Sequence, residues 1–402
     1  MTEIDKTYLD HAATSWPKSE AVIEAMSNAM RRVGAAGRGA HQSAVQANSQ
    51  VQTVRCELAQ LIGVHSPNSI PPNSIPPNSI PPNSISVHSS GTAALNAAIH
   101  GLVRPGDHVV TTAADHNSVL RPLTHLQQTA NVRLSIVPCD TKGLVAAEDV
   151  LAQVQTDTRL VVVTHASNVT GALQPVEEIG SALSSHDAIF LIDAAQTLGY
   201  LPIDVHAIGA DALAAPGHKG TAGPLGTGCL YLAPPLHSVI QPTIQGGTGS
   251  RSESLEMPID FPGKLEAGNL NVPALAGWAA ALSELRQRGI EAVTGRLQSH
   301  SARLHESLGR IDGVRLFSEA GRLAIASLRV PGLSPTDVAA ILDSEFAIET
   351  RAGLHCAALI HQHLGSDPEG TLRISAGFNT TDEQIDAACA ALKSVIDSCQ
   401  TT

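Results

Sequence analysis

Between residue 85 and about residue 232, short runs of β-branched and other apolar residues alternate with amphipathic or alanine-rich segments of helical length. This alternation is typical of βαβ units, in which helices cover a mostly parallel central sheet. The predicted strands are residues 84–89, 108–112, 133–138, 160–165, 188–193, 211–216 and 228–233. The predicted helices between them are residues 92–103, 117–128, 146–155 and 175–185.

The pattern changes after residue 235. Residues 236–272 are rich in Gly, Pro and Ser and indicate irregular loops. A helix over about 273–288 follows, because Pro is favoured at a helix start, and the remainder reads as a smaller α+β domain. Single hydrophobic cores stop growing at roughly 250–300 residues, so the 402 residues predict two domains. We expect a large domain over 17–260 and a small one formed by 1–16 and 261–402.

A five-residue tandem repeat precedes the first strand of the large domain. The sequence PPNSI occurs at residues 71–75, 76–80 and 81–85, after the near copy SPNSI at 66–70. Paired prolines favour extended polyproline II structure and remove sheet donors. We therefore expect residues 71–85 to be an inserted, mobile, solvent-exposed loop without a role in function, projecting from the sheet edge opposite the functional site; the alternative is a partner-docking loop.

Charge and cysteine usage exclude several classes of protein. The chain has 25 Lys plus Arg against 37 Asp plus Glu, a net charge of −12, and no basic cluster, which argues against nucleic acid or an anionic membrane as a partner. No signal-peptide pattern or long apolar run occurs, so we expect a cytoplasmic protein. Six cysteines without CxxC spacing predict neither a disulfide framework nor a metal site.

Chemically active residues follow the predicted strands. Ligands of open parallel sheets bind beyond the carboxyl ends of the strands, and the residues found there are Gly91, Thr92, His116, Asn168, Asp193, Gln196, His218 and Lys219. Gly91 and Thr92 open a helix, whose free N–H groups favour an anion. Asp193 ends an apolar strand, where a carboxylate is costly unless it meets a cation.

Pyridoxal phosphate requires this combination of groups. The lysine forms a Schiff base with the cofactor's aldehyde, a carboxylate keeps the pyridine nitrogen protonated, and a helix start holds the phosphate. The sequence therefore predicts a pyridoxal phosphate enzyme.

Longer motifs carry a family resemblance. These are YLDHAATSWP, GRGAHQSA, SGTAALN, DHNSVLRPL, SNVTGALQPV, IDAAQTLGYLPIDV, GHKGTAGPLGTGCLYL, EAGNLN, RAGLHCA and LRISAGFNTTDE. In order and spacing they resemble the cysteine desulfurase family of class V, fold type I pyridoxal phosphate enzymes, from about residue 8 to 395 apart from the repeat. The resemblance implies the fold type I transferase architecture, with a large domain on a mostly parallel sheet and a smaller α+β domain.

The resemblance also implies the roles of the cofactor-binding residues. Lys219 would carry pyridoxal phosphate and Asp193 would pair with its pyridine nitrogen. His116 would stack on the ring, while Asn168 and Gln196 would contact the ring's 3-oxygen.

Four further residues would hold the phosphate group. Gly91, Thr92 and His218 belong to the same subunit, and Asn269 matches a position that completes the phosphate site of a partner subunit. A homodimer follows from that match.

Two residues are implied to handle an amino-acid substrate. Arg373 matches the arginine that binds the substrate carboxylate, where its bidentate geometry is suited to the task. Cys356 matches the nucleophilic cysteine, and we expect Arg351 and His355 to lower its pKa. The implied reaction converts L-cysteine to L-alanine, with Lys219 moving the α-proton and the sulfur left on Cys356 as a persulfide for a protein acceptor.

Three positions depart from the family pattern, and two alternatives stay open. Pro216 and Ala352 stand where Ser or Thr is usual and Asn269 where Thr is common, which affects phosphate binding and the setting of the cysteine loop. One alternative is a selenocysteine lyase, or another class V transaminase or lyase in which Cys356 is incidental. The other is a sulfur-relay or regulatory protein with little turnover.

Overall fold

The computed structural model describes residues 6–37, 39–63, 80–250 and 253–400. The helices are α1 (Glu20–Arg32), α2 (Gln42–Ile62), α3 (Gly91–Leu102), α4 (Asn117–Ala130), α5 (Ala147–Gln153), α6 (Val176–Leu183), α7 (Val205–Ile208), α8 (Val272–Arg288), α9 (Ile290–Gly309), α10 (Pro335–Phe346), α11 (Ala358–Leu364) and α12 (Asp382–Gln400). The strands are β1 (Thr7–Tyr8), β2 (Ile85–His88), β3 (His108–Thr112), β4 (Arg133–Val137), β5 (Thr158–Thr164), β6 (Ile189–Asp193), β7 (Ala212–Pro216), β8 (Gly228–Leu232), β9 (Arg315–Leu316), β10 (Ile325–Arg329), β11 (Ile348–Glu349), β12 (Arg351–Gly353) and β13 (Thr371–Ser375). None of the helices in these ranges combines the length and the apolar run that a bilayer crossing requires.

A mostly parallel sheet forms the centre of the fold, as the sequence predicts. Within the described residues its strand order is β2-β8-β7-β6-β5-β3-β4. Only β8 runs against its neighbours. Strands β3, β6, β7 and β8 are buried along their whole length, as expected for a sheet covered on both faces. Because β2, β7, β6, β5 and β3 run in one direction, their carboxyl ends lie at the same edge.

A second, antiparallel sheet has the order β12-β13-β10-β9 among the described strands. The amino-terminal segment joins this part of the molecule, since β1 pairs with β11 and Asp10 forms a bridge with Ser375. Helices α9, α10 and α12 complete the second core, in which Leu304, Leu342 and Leu392 are fully buried.

Helix α8 packs against α1 and α2, and its Trp278 belongs to the core of the large sheet. The predicted domain boundary at residue 261 separates α8 from that core. This packing favours a later boundary, and the division of the chain into 17–260 and 261–402 stays a prediction.

The end of the tandem repeat is folded, which corrects the expectation of an exposed loop over residues 71–85. Ile80 is 5% exposed and packs in the core beside Gly63, and Ser84 and Ile85 are also buried. Residues 82–84 form a turn of 3₁₀ helix that leads into β2. Apolar isoleucines at a strand entry gain more from burial than from solvent exposure. The earlier copies, through residue 79, lie outside the described residues.

Candidate active site

One cavity lies at the carboxyl ends of the parallel strands. The cavity has a water-accessible volume of about 210 Å³. Its lining includes Gly91, Thr92, His116, Asn168, Asp193, Gln196, His218, Lys219 and Arg373. These are the residues that the sequence placed after separate strands, with Arg373 from the second sheet.

The turn between β2 and α3 is shaped for close approach. Ser90 caps α3 by accepting a hydrogen bond from Ala93 N, which leaves the first N–H groups of the helix without intrahelical partners. A Cβ atom on Gly91 would lie 2.9 Å from the ring of Pro216. The turn therefore needs glycine at 91, and its N–H groups with the Thr92 hydroxyl suit an anion.

His116 is held as a neutral imidazole. It caps α4, and its Nδ1 accepts a hydrogen bond from Ser118 N at 3.0 Å. The Ser118 hydroxyl lies 2.9 Å from the same Nδ1 and 2.7 Å from Thr92 Oγ1. Burial, followed by the charge of Lys219, lowers the pKa of His116 to about 4. A neutral ring at this position can lie flat against an aromatic cofactor without charge repulsion from the lysine.

Lys219 and Asp193 form an electrostatic pair in the cavity wall. Burial lowers the pKa of Lys219 to about 8, and Asp193 opposes that shift. Burial likewise raises the pKa of Asp193, against a hydrogen bond from Ala195 N to Oδ1 and the charge of Lys219. The pair thus supplies an amine that loses its proton more readily than an ordinary lysine and a buried carboxylate beside it.

These donors and acceptors fit pyridoxal phosphate. Lys219 could bind its aldehyde, and the carboxylate of Asp193 could accept from its protonated pyridine nitrogen. The amino end of α3 could hold its phosphate. Class V aminotransferases and cysteine desulfurases are pyridoxal phosphate enzymes, so the fit agrees with the motif resemblance.

The amino-terminal segment encloses His218. Its carbonyl accepts hydrogen bonds from Ser15 N at 3.0 Å and from Lys18 Nζ at 3.1 Å, and its Nδ1 lies 3.0 Å from Thr14 Oγ1. Burial, followed by the charge of Lys219, lowers the pKa of His218 to about 4. Residues 14–18 thereby fix the segment that carries Lys219, a contact that no sequence motif signalled.

Arg373 crosses from the second sheet into the cavity. Its side chain is fully buried, with Nη2 donating to Asp10 Oδ1 at 2.6 Å and Nη1 donating to Asn168 O at 2.9 Å. Nε has no partner among the described residues. The guanidinium is thus fixed at two nitrogens and still has N–H groups with which to bind a carboxylate.

Cys356 lies in a turn that is bound to the cavity wall. His355 and Cys356 both adopt left-handed backbone angles, φ 50° and 59°. Asn168 Nδ2 donates to His355 O at 2.6 Å, and Asn117 N donates to Cys356 O at 2.8 Å. Sγ of the exposed Cys356 lies 3.6 Å from Nη2 of Arg351, which also lines the cavity.

The structure corrects the expectation that His355 lowers the pKa of Cys356. The His355 ring is buried, and its Nε2 lies 3.1 Å from both oxygens of Thr371. Burial, followed by the charge of Arg373, lowers the pKa of His355 to about 2. A neutral ring gives the thiolate no counter-charge, so Arg351 is the cation in contact with Sγ.

Asn269 is exposed and does not line the cavity of its own chain. Its segment is held by Glu266, whose Oε2 lies 2.5 Å from Arg55 Nη2 and whose Oε1 accepts from Val87 N at 2.8 Å. Val87 belongs to β2, the strand that leads into the Gly91 turn. The segment carrying Asn269 is therefore fixed to the strand that shapes the anion site.

Sequence reasoning missed several contributors to the site. Ser118 links Thr92 to His116, and Asp10 holds Arg373. Asp115 is fully buried beside His116, where its Oδ2 accepts from both Thr112 N and Thr112 Oγ1, and burial raises its pKa to about 7. A buried strand that ends in Thr-Thr, with an Asp three residues after it, is the one local signal that could have found Asp115.

Comparisons with known proteins agree with this geometry. The class-V aminotransferase family model matches residues 7–388. A probable cysteine desulfurase of Methanothermobacter thermautotrophicus is 34% identical over 95% of this chain and 92% of its own length, and one of Pyrococcus abyssi is 30% identical over 97% and 94%. The apo structure of a cysteine desulfurase from Thermococcus onnurineus has a TM-score of 0.86 at 28% identity, covering 98% of this chain and 95% of that one. The chain belongs to the class-V aminotransferase family and, within it, to the cysteine desulfurases.

Proposed function

We propose that this protein is a pyridoxal phosphate-dependent cysteine desulfurase, which converts L-cysteine to L-alanine and takes the sulfur onto Cys356. The observation that carries the proposal is the placement of Arg351, which lines the lysine cavity and contacts Cys356 Sγ. Through this residue the thiol adjoins the place where a substrate held by Arg373 would present its sulfur.

Bound pyridoxal phosphate supplies an electron sink for the bond changes at the substrate's carbon atoms. Asp193 would hold the cofactor's pyridine nitrogen, and the α3 amino end with Thr92 and His218 would hold its phosphate. Arg373 fixes the substrate carboxylate, and Lys219 moves the α-proton because burial lowers its pKa to about 8.

Sulfur transfer then falls to Cys356. Its thiolate attacks the substrate sulfur, an S–S bond forms and the C–S bond breaks. The electron pair of the broken bond stays with the substrate carbon, which takes up a proton and becomes the methyl group of alanine. The guanidinium of Arg351 stabilises the attacking thiolate by its positive charge.

The assembly belongs to the same proposal. A homodimer would let the exposed Asn269 reach the phosphate of a partner subunit, with Gly91 and Thr92 supplying the same-subunit part of that site. A protein acceptor would take the persulfide sulfur from the exposed Cys356. Location in the cytoplasm stays a prediction from the sequence.

Replacement of the nucleophile tests the proposal. Cys356→Ala should bind pyridoxal phosphate with unchanged absorbance yet release no sulfide from L-cysteine in the presence of a thiol reductant. Cys399→Ala, at another exposed cysteine, is the matched control and should keep activity. Retained desulfuration in Cys356→Ala, or amino transfer to a keto acid in place of alanine formation by the wild type, would contradict the assignment.

A further inference from the structure

A second, smaller cavity lies beside the active-site cavity, and Gln196 lines both. This cavity has a water-accessible volume of about 10 Å³, which is close to the volume that one water molecule requires. Most of its wall is apolar, and Tyr200, His11 and Ser375 are its polar members besides Gln196. A single small polar molecule is therefore the largest ligand that it can hold.

Two buried polar atoms of the lining residues lack a hydrogen-bond partner among the described residues. They are Gln196 Oε1 and Tyr200 Oη, from side chains that are 3% and 8% exposed. Buried polar groups in folded proteins are almost always paired, with protein or with ordered water. Two unpaired atoms around one cavity of this size indicate a shared ligand.

The chemistry of the two atoms defines the ligand. Gln196 Nε2 donates to Ala12 O at 2.9 Å, so the other amide atom is the oxygen, which only accepts. Burial raises the pKa of Tyr200, so its phenol keeps its proton and can donate. A water molecule can accept from one group and donate to the other.

We propose that one buried water joins Tyr200 Oη to Gln196 Oε1 and that Tyr200 is thereby a positioning residue for the Gln196 amide. The water accepts the Tyr200 hydrogen and donates one of its own to Oε1. Its second hydrogen is directed toward the remaining polar wall, which His11 and Ser375 provide.

The consequence for the cofactor rests on the proposed function. The ionised 3-oxygen of pyridoxal phosphate only accepts hydrogen bonds, so Gln196 must present an N–H group to it. With Oε1 held on the water side, the second hydrogen of Nε2 stays available to the active-site cavity. Without the Tyr200 hydroxyl, Gln196 keeps its hydrogen bond to Ala12 O but loses the water that fixes Oε1, so the amide presents its second N–H group less firmly to the negative oxygen.

Tyr200→Phe tests the positioning role in the holoenzyme. A weaker hydrogen bond from Gln196 Nε2 makes the cofactor's 3-oxygen more basic, so the protonated form of the cofactor persists to higher pH. The midpoint of the pH-dependent change in cofactor absorbance should rise by about one unit. The matched control is Tyr231→Phe, a buried tyrosine on β8 that lines neither cavity, and its midpoint should equal that of the wild type.

A crystal structure of the wild-type protein tests the water directly. One ordered water within hydrogen-bond distance of both Tyr200 Oη and Gln196 Oε1 is expected. Absence of that water, or a Tyr200→Phe midpoint equal to that of the wild type, would overturn the inference while leaving the proposed function intact. A wild-type chain that binds no pyridoxal phosphate would instead contradict the proposed function, and the crystal structure would still decide the water.

Discussion

Replacing Arg55 by Met should destabilise the fold, because it leaves the carboxylate of Glu266 buried without its cation. The two side chains are 7% and 8% exposed and meet at 2.5 Å. Removing one partner of a buried ion pair typically costs about 3–5 kcal/mol. Glu266 keeps its hydrogen bond from Val87 N, so we expect the lower end, a loss of about 3 kcal/mol in the free energy of unfolding.

The loss should depend on pH with a defined sign. Burial already raises the pKa of Glu266 above its ordinary 4.5, and Arg55 opposes that rise. Without Arg55 the folded state holds a proton that the unfolded state releases above about pH 4.5. Since stability then falls as pH rises, Arg55→Met should be closest to the wild type in acid and furthest from it near pH 8.

Urea denaturation followed by circular dichroism measures the effect, at one protein concentration and with the cofactor saturating, because ligand and subunit binding shift apparent stability. The double variant Arg55→Met with Glu266→Gln should recover about 2 kcal/mol, since it buries no unpaired charge. Arg133→Met is the matched control, because the Arg133–Asp157 pair is exposed and is expected to contribute at most about 1 kcal/mol. Equal losses for Arg55→Met and Arg133→Met, or no recovery in the double variant, would refute the reasoning.

Three further predictions concern the site and the repeat. Gly91→Ala should weaken cofactor binding and cost about 1–3 kcal/mol of stability through the clash with Pro216. In the control Gly295→Ala the added Cβ meets nothing within 4 Å, so cofactor binding, measured by fluorescence titration, and stability, measured by urea denaturation, should not change. In cofactor-free protein, the rate at which Lys219 captures pyridoxal phosphate should rise with pH up to about 8 and then level off, because burial lowers its pKa to about 8; a rate that keeps rising toward pH 10 in stopped-flow absorbance would contradict this. Deleting residues 71–80 should not change the free energy of unfolding, because Ile70 then takes the place of Ile80. Deleting residues 71–85 instead puts His65 at that place and should cost about 2 kcal/mol or more in urea denaturation. Equal stability of the two deletion variants would argue against a core role for Ile80.

The large sheet and its active edge were predictable because their signals are local. Each buried strand is a short apolar run, and the residue after it must lie at the edge where parallel strands end. Asp193 and Lys219 could therefore be assigned to one cavity without knowledge of the strand order. Thr14 and Asp10 could not, because their contacts with His218 and Arg373 join positions some 200 and 363 residues apart in the chain, and no periodicity encodes such a pairing.

His355 shows why composition near a reactive group is a weak guide to its electrostatics. A histidine next to a cysteine suggests a cation, but the left-handed turn at residues 355 and 356 directs the ring into the core while Cys356 stays exposed. Burial then favours the neutral imidazole. The charge of a side chain depends on the direction in which the backbone points it, and that direction was absent from the sequence pattern.

In the tandem repeat, the local sequence does not determine which copy is buried in the core. Three identical copies have equal local propensity, so no local argument can tell which copy enters the core. The choice is made by attachment, because residue 86 continues a strand paired with β8. Only the copy joined directly to residue 86, with the isoleucine that precedes this copy, can bring Ile85 and Ile80 to buried positions. Identity among the copies also means that a change in copy number leaves an equivalent PPNSI segment at the strand entry. The requirement for burial in the core thus falls on one copy and the isoleucine before it.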